Sequence, residues 1–270
     1  MQAGDPSIAL DAERDLLVAA VREAGALALA TFRRPIKQWI KGESSPVCEA
    51  DIAVDQLLRQ RLGGAFPAHG WLSEETEDDP RRLDASRVWI VDPVDGTRSY
   101  LAGRDDWCVS VALAAGGRPL LGVIFAPVTD EFFIATAAAG ATRNGVAIAA
   151  KAGREMDGAK LAGPKRILDR ISTSHPEAVQ LPRIGALALR IARVAHGGVD
   201  VAIAGGNSHD WDLAAADLLV HEAGGLLTDF GGDPLVYNRP DPVHRPLIAA
   251  GRERHAAMLD LSRAYKLQPT

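Results

Sequence analysis

The chain has 270 residues, a formal net charge of −5 and 47% hydrophobic residues, an ordinary globular composition that excludes a disordered or fibrous protein. The acidic balance gives no reason to expect a nucleic-acid polymer as partner, and no apolar run is long enough to span a membrane. The N-terminus lacks a basic region followed by an apolar run, so we predict no signal peptide and a cytoplasmic protein.

In the first half of the chain, the hydrophobic pattern predicts two helices followed by a largely antiparallel sheet. Apolar residues recur at helical spacing from Ile8 to Phe32, and a second helix is expected from Glu49 to Leu62. Between them, IKQWIKGESSP is typical of a strand and an exposed loop, and Asn144-Gly145 indicates a hairpin turn. Strands are expected at Trp71–Leu72, Val88–Val91, Cys108–Leu113, Pro119–Ala126 and Glu131–Ala137.

After about residue 150 the pattern becomes α/β. Strands are expected at Val199–Ile203 and Leu247–Ala250, and helices at Gly185–Ala195, Asp212–Ala223 and Arg252–Leu261. We therefore predict an N-terminal α+β half, residues 1–150, and a C-terminal α/β half, residues 151–270. No linker separates them, so the halves are expected to pack tightly.

The segment WIVDPVDGT, residues 89–97, carries the most chemical information. A buried strand places Asp92 at its end, Pro93 interrupts the strand, and Asp95-Gly96-Thr97 has the composition of a tight turn into a helix. Two carboxylates three residues apart across a turn can bind one pair of Mg²⁺ ions, and the free N–H groups of the turn can bind an anion. Taken alone, the segment is equally compatible with an ordinary Asp-rich turn.

Two further acidic motifs favour the metal site. Glu74 and Glu75 directly follow an apolar strand, and Asp212 lies at the predicted start of a helix, where the helix dipole favours a carboxylate. Together with Asp92 and Asp95, they place carboxylates at the ends of three elements from both halves. Two-metal sites are normally assembled in this way.

The motifs WLSEE, WIVDPVDGT and WDLAAAD resemble, in order and spacing, those of the inositol monophosphatase superfamily. This resemblance implies an α/β/α/β/α layered sandwich and the hydrolysis of phosphate monoesters with two or three Mg²⁺ ions. It implies a small phosphorylated substrate and allows a homodimer. The implied metal ligands are the side chains of Glu74, Asp92, Asp95 and Asp212 and the carbonyl oxygen of Val94.

The resemblance also implies catalytic and substrate-binding roles. Asp51 would hydrogen-bond Thr97, and Thr97 with Glu74 would orient and deprotonate the attacking water. The residues implied to contact substrate are Asp95, Gly96, Thr97, Gly185, Ala186 and Asp212.

Several features are most similar to the bacterial 3'(2'),5'-bisphosphate nucleotidase branch, the CysQ type. KGESSPVCEAD, residues 41–51, resembles its S-P-V-T-x-A-D element with Cys48 in place of threonine, and LSEE matches. Inositol phosphatases usually carry an acid ahead of the WD motif, but residues 203–207 here have none. We therefore expect 3'(2')-phosphoadenosine 5'-phosphate as substrate. Its second phosphate has Lys165, Arg166 and Arg183 as candidate ligands, although the same residues are equally compatible with solvated surface cations.

Alternatives remain at this stage. An inositol-1-phosphate or fructose-1,6-bisphosphate phosphatase of the same superfamily would use the same metal site. A non-catalytic phosphate-binding protein is the alternative from another class, although it would be expected to lack a ligand or the Asp51–Thr97 pair. The spacing of Asp92 and Asp95 does not fit the D-x-D motif of aspartyl-phosphate enzymes.

Overall fold

The structure is a computed structural model, and it describes residues 10–42 and 45–265. The helices are α1 Asp11–Thr31, α2 Glu49–Leu58, α3 Thr97–Leu101, α4 Lys165–Ser174, α5 Leu187–Ala192, α6 Asp210–Glu222 and α7 Arg252–Tyr265. A π-helical turn, Arg59–Gly63, continues α2, and a short 3₁₀ helix spans Pro80–Asp84.

The strands form two larger sheets and two hairpin-like pairs. They are β1 Gln38–Lys41, β2 Ser45–Cys48, β3 Gly70–Ser73, β4 Val88–Asp95, β5 Cys108–Ala115, β6 Arg118–Ala126, β7 Glu131–Thr136, β8 Gly140–Arg143, β9 Val146–Ala147, β10 Lys160–Ala162, β11 Val179–Gln180, β12 Val201–Ala204, β13 Ser208–His209, β14 Gly225–Asp229, β15 Val243–His244 and β16 Leu247–Gly251. β1 pairs with β2, and β13 pairs with β15.

The first large sheet has seven strands in the order β3-β4-β5-β6-β7-β8-β9. Only β3 and β4 run parallel, and the rest is the antiparallel meander that the sequence predicts. Asn144 and Gly145 both have positive φ at the predicted hairpin turn between β8 and β9. The second sheet has five strands in the order β11-β10-β12-β16-β14, with parallel and antiparallel pairs.

Five layers stack on one another. On one face of the seven-stranded sheet, α1 and α2 pack against residues such as Trp89 and Val91. On the other face, α5 and α6 lie between the two sheets and contact both Ile90 of β4 and Leu247 of β16. Beyond the second sheet, α4 and α7 pack against residues such as Ile203. The α/β/α/β/α sandwich that the resemblance implied is therefore confirmed.

Two element boundaries beside Asp92 and Asp212 differ from the sequence prediction. β4 does not end at Asp92, because pairing with β5 resumes at Asp95 beyond Pro93. α6 begins at Asp210 rather than Asp212. The start of the first predicted helix, at Ile8, lies outside the described residues, and α4 with β10 and β11 was not predicted.

Within residues 10–42 and 45–265, no helix has both the length and the hydropathy that a membrane span needs.

Candidate metal centre and active site

Three carboxylates from both halves of the chain converge at one point. Asp92, Asp95 and Asp212 each offer one oxygen, and these oxygens all lie within 4.8 Å of one another. Together with Glu74 they line a cavity of about 430 Å³ at the end of β4. The cavity therefore contains all four side chains that the resemblance implied as metal ligands.

A bulge in β4 explains how Asp92 and Asp95 reach the same site. In a regular strand, residues three apart point to opposite faces of the sheet. Here Asp92 pairs with Ser110 and Asp95 with Cys108, so two residues of β4, Pro93 and Val94, stand opposite one residue of β5. The extra residue reverses the alternation and brings both aspartates to one side.

Glu74 and Asp212 are brought to the site by neighbouring elements. Glu74 directly follows β3, which runs parallel to β4, and its N–H donates to the carbonyl oxygen of Val91 at 3.2 Å. Asp212 is the third residue of α6, and its Oδ2 accepts the N–H of His209 at 2.6 Å in a capping box. Asp212 therefore serves both as a helix cap and as a candidate metal ligand.

Burial and mutual repulsion raise the pKa values of these four carboxylic acids. Burial and the charges of Asp212 and Glu75 raise the pKa of Glu74 to about 8. Burial also raises the pKa of Asp95 and that of Asp212 to about 7, and holds the pKa of Asp92 well above its usual range. Four buried acids whose pKa values are all raised in this way indicate a site that binds positive charge.

The donor set fits a hard divalent cation. Carboxylate oxygens are the ligands that Mg²⁺ prefers, and Mg²⁺ usually shares its coordination with a substrate phosphate. Glu74, Asp92, Asp95 and Asp212 would hold it. A cation bound there would neutralise phosphate charge and make a water molecule more acidic.

Val94 lies at the bulge between the two aspartates. Its backbone is fully buried, and its carbonyl oxygen lies 3.0 Å from Thr97 Oγ1. The placement beside Asp92 and Asp95 is compatible with the metal-ligand role that the resemblance implied for this carbonyl, which stays a prediction.

Gly96 and Thr97 form the turn from β4 into α3. Gly96 has a φ of 89°, and a Cβ on it would lie only 3.1 Å from the backbone of Ala186 and of Asp106. Only glycine fits that conformation and that space. Thr97 Oγ1 donates to Asp51 Oδ1 at 2.9 Å, so the predicted Asp51–Thr97 pair is present in the structure.

The predicted substrate residues Gly185 and Ala186 lie at the start of α5. Gly185 lines the cavity, and its N–H donates to Asp106 Oδ2 at 2.5 Å. Ala186 is fully buried, and its N–H donates to the carbonyl oxygen of Asp106 at 3.1 Å. Both N–H groups are thus bonded to the protein, and the substrate role of these two residues stays a prediction.

The next two residues contact a metal-ligand candidate directly. The N–H groups of Leu187 and Ala188 donate to the two carboxylate oxygens of Asp95, at 3.0 and 2.5 Å. Through Asp106 and these N–H groups, the turn of the C-terminal half is fixed to the acidic turn of the N-terminal half.

Sequence reasoning missed Arg190, a cation that lies close to the acidic cluster. Arg190 is the only charged residue of α5, its Nε is buried without a hydrogen-bond partner, and Asp95 and Asp212 lie close enough to raise its pKa, although burial lowers it more. A single cation in the otherwise apolar sequence LALRIA was the available signal. Of the cations that the sequence singled out, Arg183 lines the cavity, whereas Lys165 and Arg166 lie on α4 and do not.

Comparison with known proteins identifies the family. Residues 10–266 match the model of the Inositol monophosphatase family. The chain belongs to this family. The Nus factor SuhB of Escherichia coli (strain K12) is 30% identical over 229 residues, which cover 81% of this chain and 85% of that protein. An inositol-1-monophosphatase of Rhizobium meliloti (strain 1021) is 33% identical over 237 residues, covering 82% and 87%.

A crystal structure of a similar protein supports the fold. The extragenic suppressor protein suhB from Bartonella henselae superposes with a TM-score of 0.83 at 29% identity, covering 93% of this chain and 98% of that one. Family membership and the acidic cluster together indicate a metal-dependent phosphomonoesterase, as the motifs predicted. The relatives named here are SuhB proteins and an inositol monophosphatase. They support the inositol monophosphatase alternative better than the nucleotidase branch.

Proposed function

We propose that this protein is a Mg²⁺-dependent phosphomonoesterase that hydrolyses inositol-1-phosphate or a similar small alcohol phosphate. The observation that carries the proposal is the convergence of Asp92, Asp95 and Asp212 oxygens within 4.8 Å in a cavity that Glu74 and Thr97 also line. The name of the Rhizobium meliloti relative, an inositol-1-monophosphatase, supports this substrate.

In this proposal, the four acidic side chains and the Val94 carbonyl oxygen hold two or three Mg²⁺ ions. The N–H groups of Gly96 and Thr97, at the start of α3, bind the phosphate of the substrate. Thr97 and Glu74 orient the attacking water and accept its proton. Phosphoryl transfer needs positioning and charge neutralisation more than covalent chemistry, and this site offers both.

The test is phosphate release by the purified protein with Mg²⁺ from three substrates. They are inositol-1-phosphate, fructose 1,6-bisphosphate and 3'-phosphoadenosine 5'-phosphate. We expect the highest kcat/KM with inositol-1-phosphate. Binding of the phosphates without turnover of any of them would support the non-catalytic alternative and contradict the proposal.

A second candidate substrate is 3'-phosphoadenosine 5'-phosphate, which the sequence motifs favoured. Burial, and after it the charge of Arg183, lower the pKa of Arg190, so two cations repel each other beside the cavity. Such a pair is stabilised by an anion that binds both. The loop before α6 also presents no acid to an inositol ring, and Gly205 has open space around it. The arginine pair favours a substrate with a second anionic group, and the missing acid removes a contact that an inositol ring would use.

Substitution of the two arginines separates these candidates. If the nucleotide is the substrate, Arg183→Gln and Arg190→Gln raise its KM by about tenfold, the usual size of a lost charge-assisted hydrogen bond. Lys165→Gln is the matched control, because Lys165 is exposed and pairs with Asp169 at 2.9 Å. Unchanged KM in both arginine variants would leave inositol-1-phosphate as the better candidate.

A further inference from the structure

A chain of hydrogen bonds links the start of α2 to Thr97. Asp51, which is 1% exposed, receives three bonds on its carboxylate. Its Oδ2 accepts both the N–H of Cys48 at 2.9 Å and the Sγ–H of Cys48 at 2.8 Å. Its Oδ1 accepts the hydroxyl of Thr97, at 2.9 Å.

The thiol of Cys48 is a donor in this chain. Cys48 is fully buried, and burial together with the charge of Asp51 raises the pKa of its thiol to about 12. The thiol therefore keeps its proton near neutral pH. A carboxylate accepts and cannot donate, so the proton lies between Cys48 Sγ and Asp51 Oδ2.

The direction of the Thr97 hydroxyl depends on this arrangement. Thr97 Oγ1 lies 2.9 Å from Asp51 Oδ1 and 3.0 Å from the carbonyl oxygen of Val94, but it has one proton to donate. If the proton points to Asp51, the Val94 carbonyl oxygen keeps its lone pairs for a metal ion. The remaining lone pairs of Thr97 can then accept a hydrogen bond from water.

We infer that Cys48 is a positioning residue for the proposed hydrolysis, acting through Asp51 on Thr97. Two bonds from Cys48 to Oδ2 fix the rotation of the Asp51 carboxylate and so present Oδ1 to the Thr97 hydroxyl. With the thiol removed, one backbone bond remains, the carboxylate gains freedom to turn, and the hydroxyl is free to bond Val94 instead. The inference rests on the proposed function.

The experiment is a double-mutant cycle on kcat with the Mg²⁺-loaded full chain. Cys48→Ala is expected to lower kcat about tenfold with little change in KM, as for a lost hydrogen bond to a charged group. Cys48→Ser, which keeps a donor, restores most of the activity. In a Thr97→Val background, Cys48→Ala has no further effect on kcat, because its target hydroxyl is absent.

A purely structural role gives a different pattern. Val54→Ala, in the buried face of the same helix, is the control for lost stability and is expected to lower the Tm while keeping kcat. Cys48→Gly replaces the alanine variant if that variant does not fold, since glycine is the better N-cap. A wild-type kcat in Cys48→Ala would overturn the inference but not the proposed function. So would an equal loss of kcat on Cys48→Ala in the wild-type and Thr97→Val backgrounds. A wild-type protein without Mg²⁺-dependent activity would overturn the proposed function and the inference together.

Discussion

The chemistry of the site depends on single residues whose local geometry is unusual. Pro93 and Val94 together oppose one residue of β5, and this bulge places Asp92 and Asp95 on the same side of the sheet. Gly96 then turns the chain with a positive φ where a side chain would strike Ala186. The bulge interrupts regular strand pairing, and the turn requires a conformation that few residues other than glycine adopt. Both features are explained by the cluster of acids that they create.

At this scale, the raised carboxylate pKa values predict an unusual dependence of stability on pH. Without metal, burial raises the pKa of Glu74 from its ordinary value of 4.5 to about 8. It raises the pKa of Asp95 and that of Asp212 from 3.8 to about 7. At pH values between the ordinary and the raised pKa of these acids, the folded protein binds more protons than the unfolded chain. The site's contribution to the free energy of unfolding therefore decreases as pH rises through this range.

Mg²⁺ should reverse this trend, because it binds the deprotonated carboxylates. We expect the increase in Tm on adding Mg²⁺ to be small near pH 5 and largest near pH 8. Thermal unfolding in EDTA and in Mg²⁺ at several pH values measures it. The same Mg²⁺ shift at both ends of the range would show that these acids do not form the metal site.

Among the elements, α6 combines a structural and a chemical role. Its first turn is capped by Asp212, which also faces Asp95 across the cavity, and its buried residues contact both sheets. The sequence predicted a helix with an acid at its start, but the helix begins two residues earlier, at Asp210. The capping box with His209 sets that start, and His209 does not belong to the usual set of N-cap residues.

Asp212→Asn separates the two roles of this helix start. An amide oxygen can still accept the His209 N–H, but the charge that repels the other acids and binds metal is gone. We expect a metal-free Tm at pH 8 no lower than that of the wild type, and no increase in Tm with Mg²⁺.

Leu219→Ala is the matched control, two turns further along α6 and fully buried. It should destabilise the protein by about 2–5 kcal/mol while keeping the Mg²⁺ shift. A marked loss of metal-free stability in Asp212→Asn would contradict the assignment of the acid cluster as a source of repulsion.

At the scale of the whole molecule, the site exists because two sheets share the layer formed by α5 and α6. That layer packs closely enough that Gly122 of β6 meets the backbone of Ala215 in α6. A Cβ on Gly122 would lie 2.9 Å from the Ala215 carbonyl oxygen. The positions of Asp95 in one half and Asp212 in the other are therefore fixed by packing through the centre of the protein.

Gly122→Ala should force these layers apart and lower the free energy of unfolding by about 1–3 kcal/mol, the usual cost of overpacking. Gly64→Ala is the control, because Gly64 has helical φ and ψ and open space around it. That substitution should stabilise the protein by about 0.5–1 kcal/mol. Chemical denaturation measures both, and equal stabilities of the two variants would contradict the close packing of α6 on β6.

The acidic cluster was predictable because local patterns place its members, whereas the layered fold was implied by the family resemblance of the motifs. Asp92 and Asp95 follow a continuous apolar run, and Asp212 precedes the apolar part of a helix, so the local sequence places these acids near element ends. Contacts between residues far apart in the sequence were not predictable from local patterns. The bonds from Leu187 and Ala188 to Asp95 join residues more than ninety positions apart, and only packing of the layers creates them.

The missed cation, Arg190, and the thiol of Cys48 show the same limit. Arg190 reads locally as an ordinary helix residue, and its proximity to Asp95 depends on how α5 docks. Cys48 reads as a small core residue, and its bond to Asp51 appears only when the start of α2 is built. The substrate is least predictable, because it depends on loops and long side chains rather than on periodic elements.

The central claim is tested most directly by Mg²⁺-dependent phosphate release from inositol-1-phosphate, comparing the wild type with Asp92→Asn. Asp92 is 1% exposed and belongs to the cluster of converging oxygens, so the amide should retain the fold but lose the metal. We predict wild-type activity that EDTA abolishes and Mg²⁺ restores, and activity at least about a hundredfold lower in Asp92→Asn with far-UV circular dichroism unchanged. Phosphate release that persists in EDTA or in Asp92→Asn would contradict a metal-dependent reaction at this site.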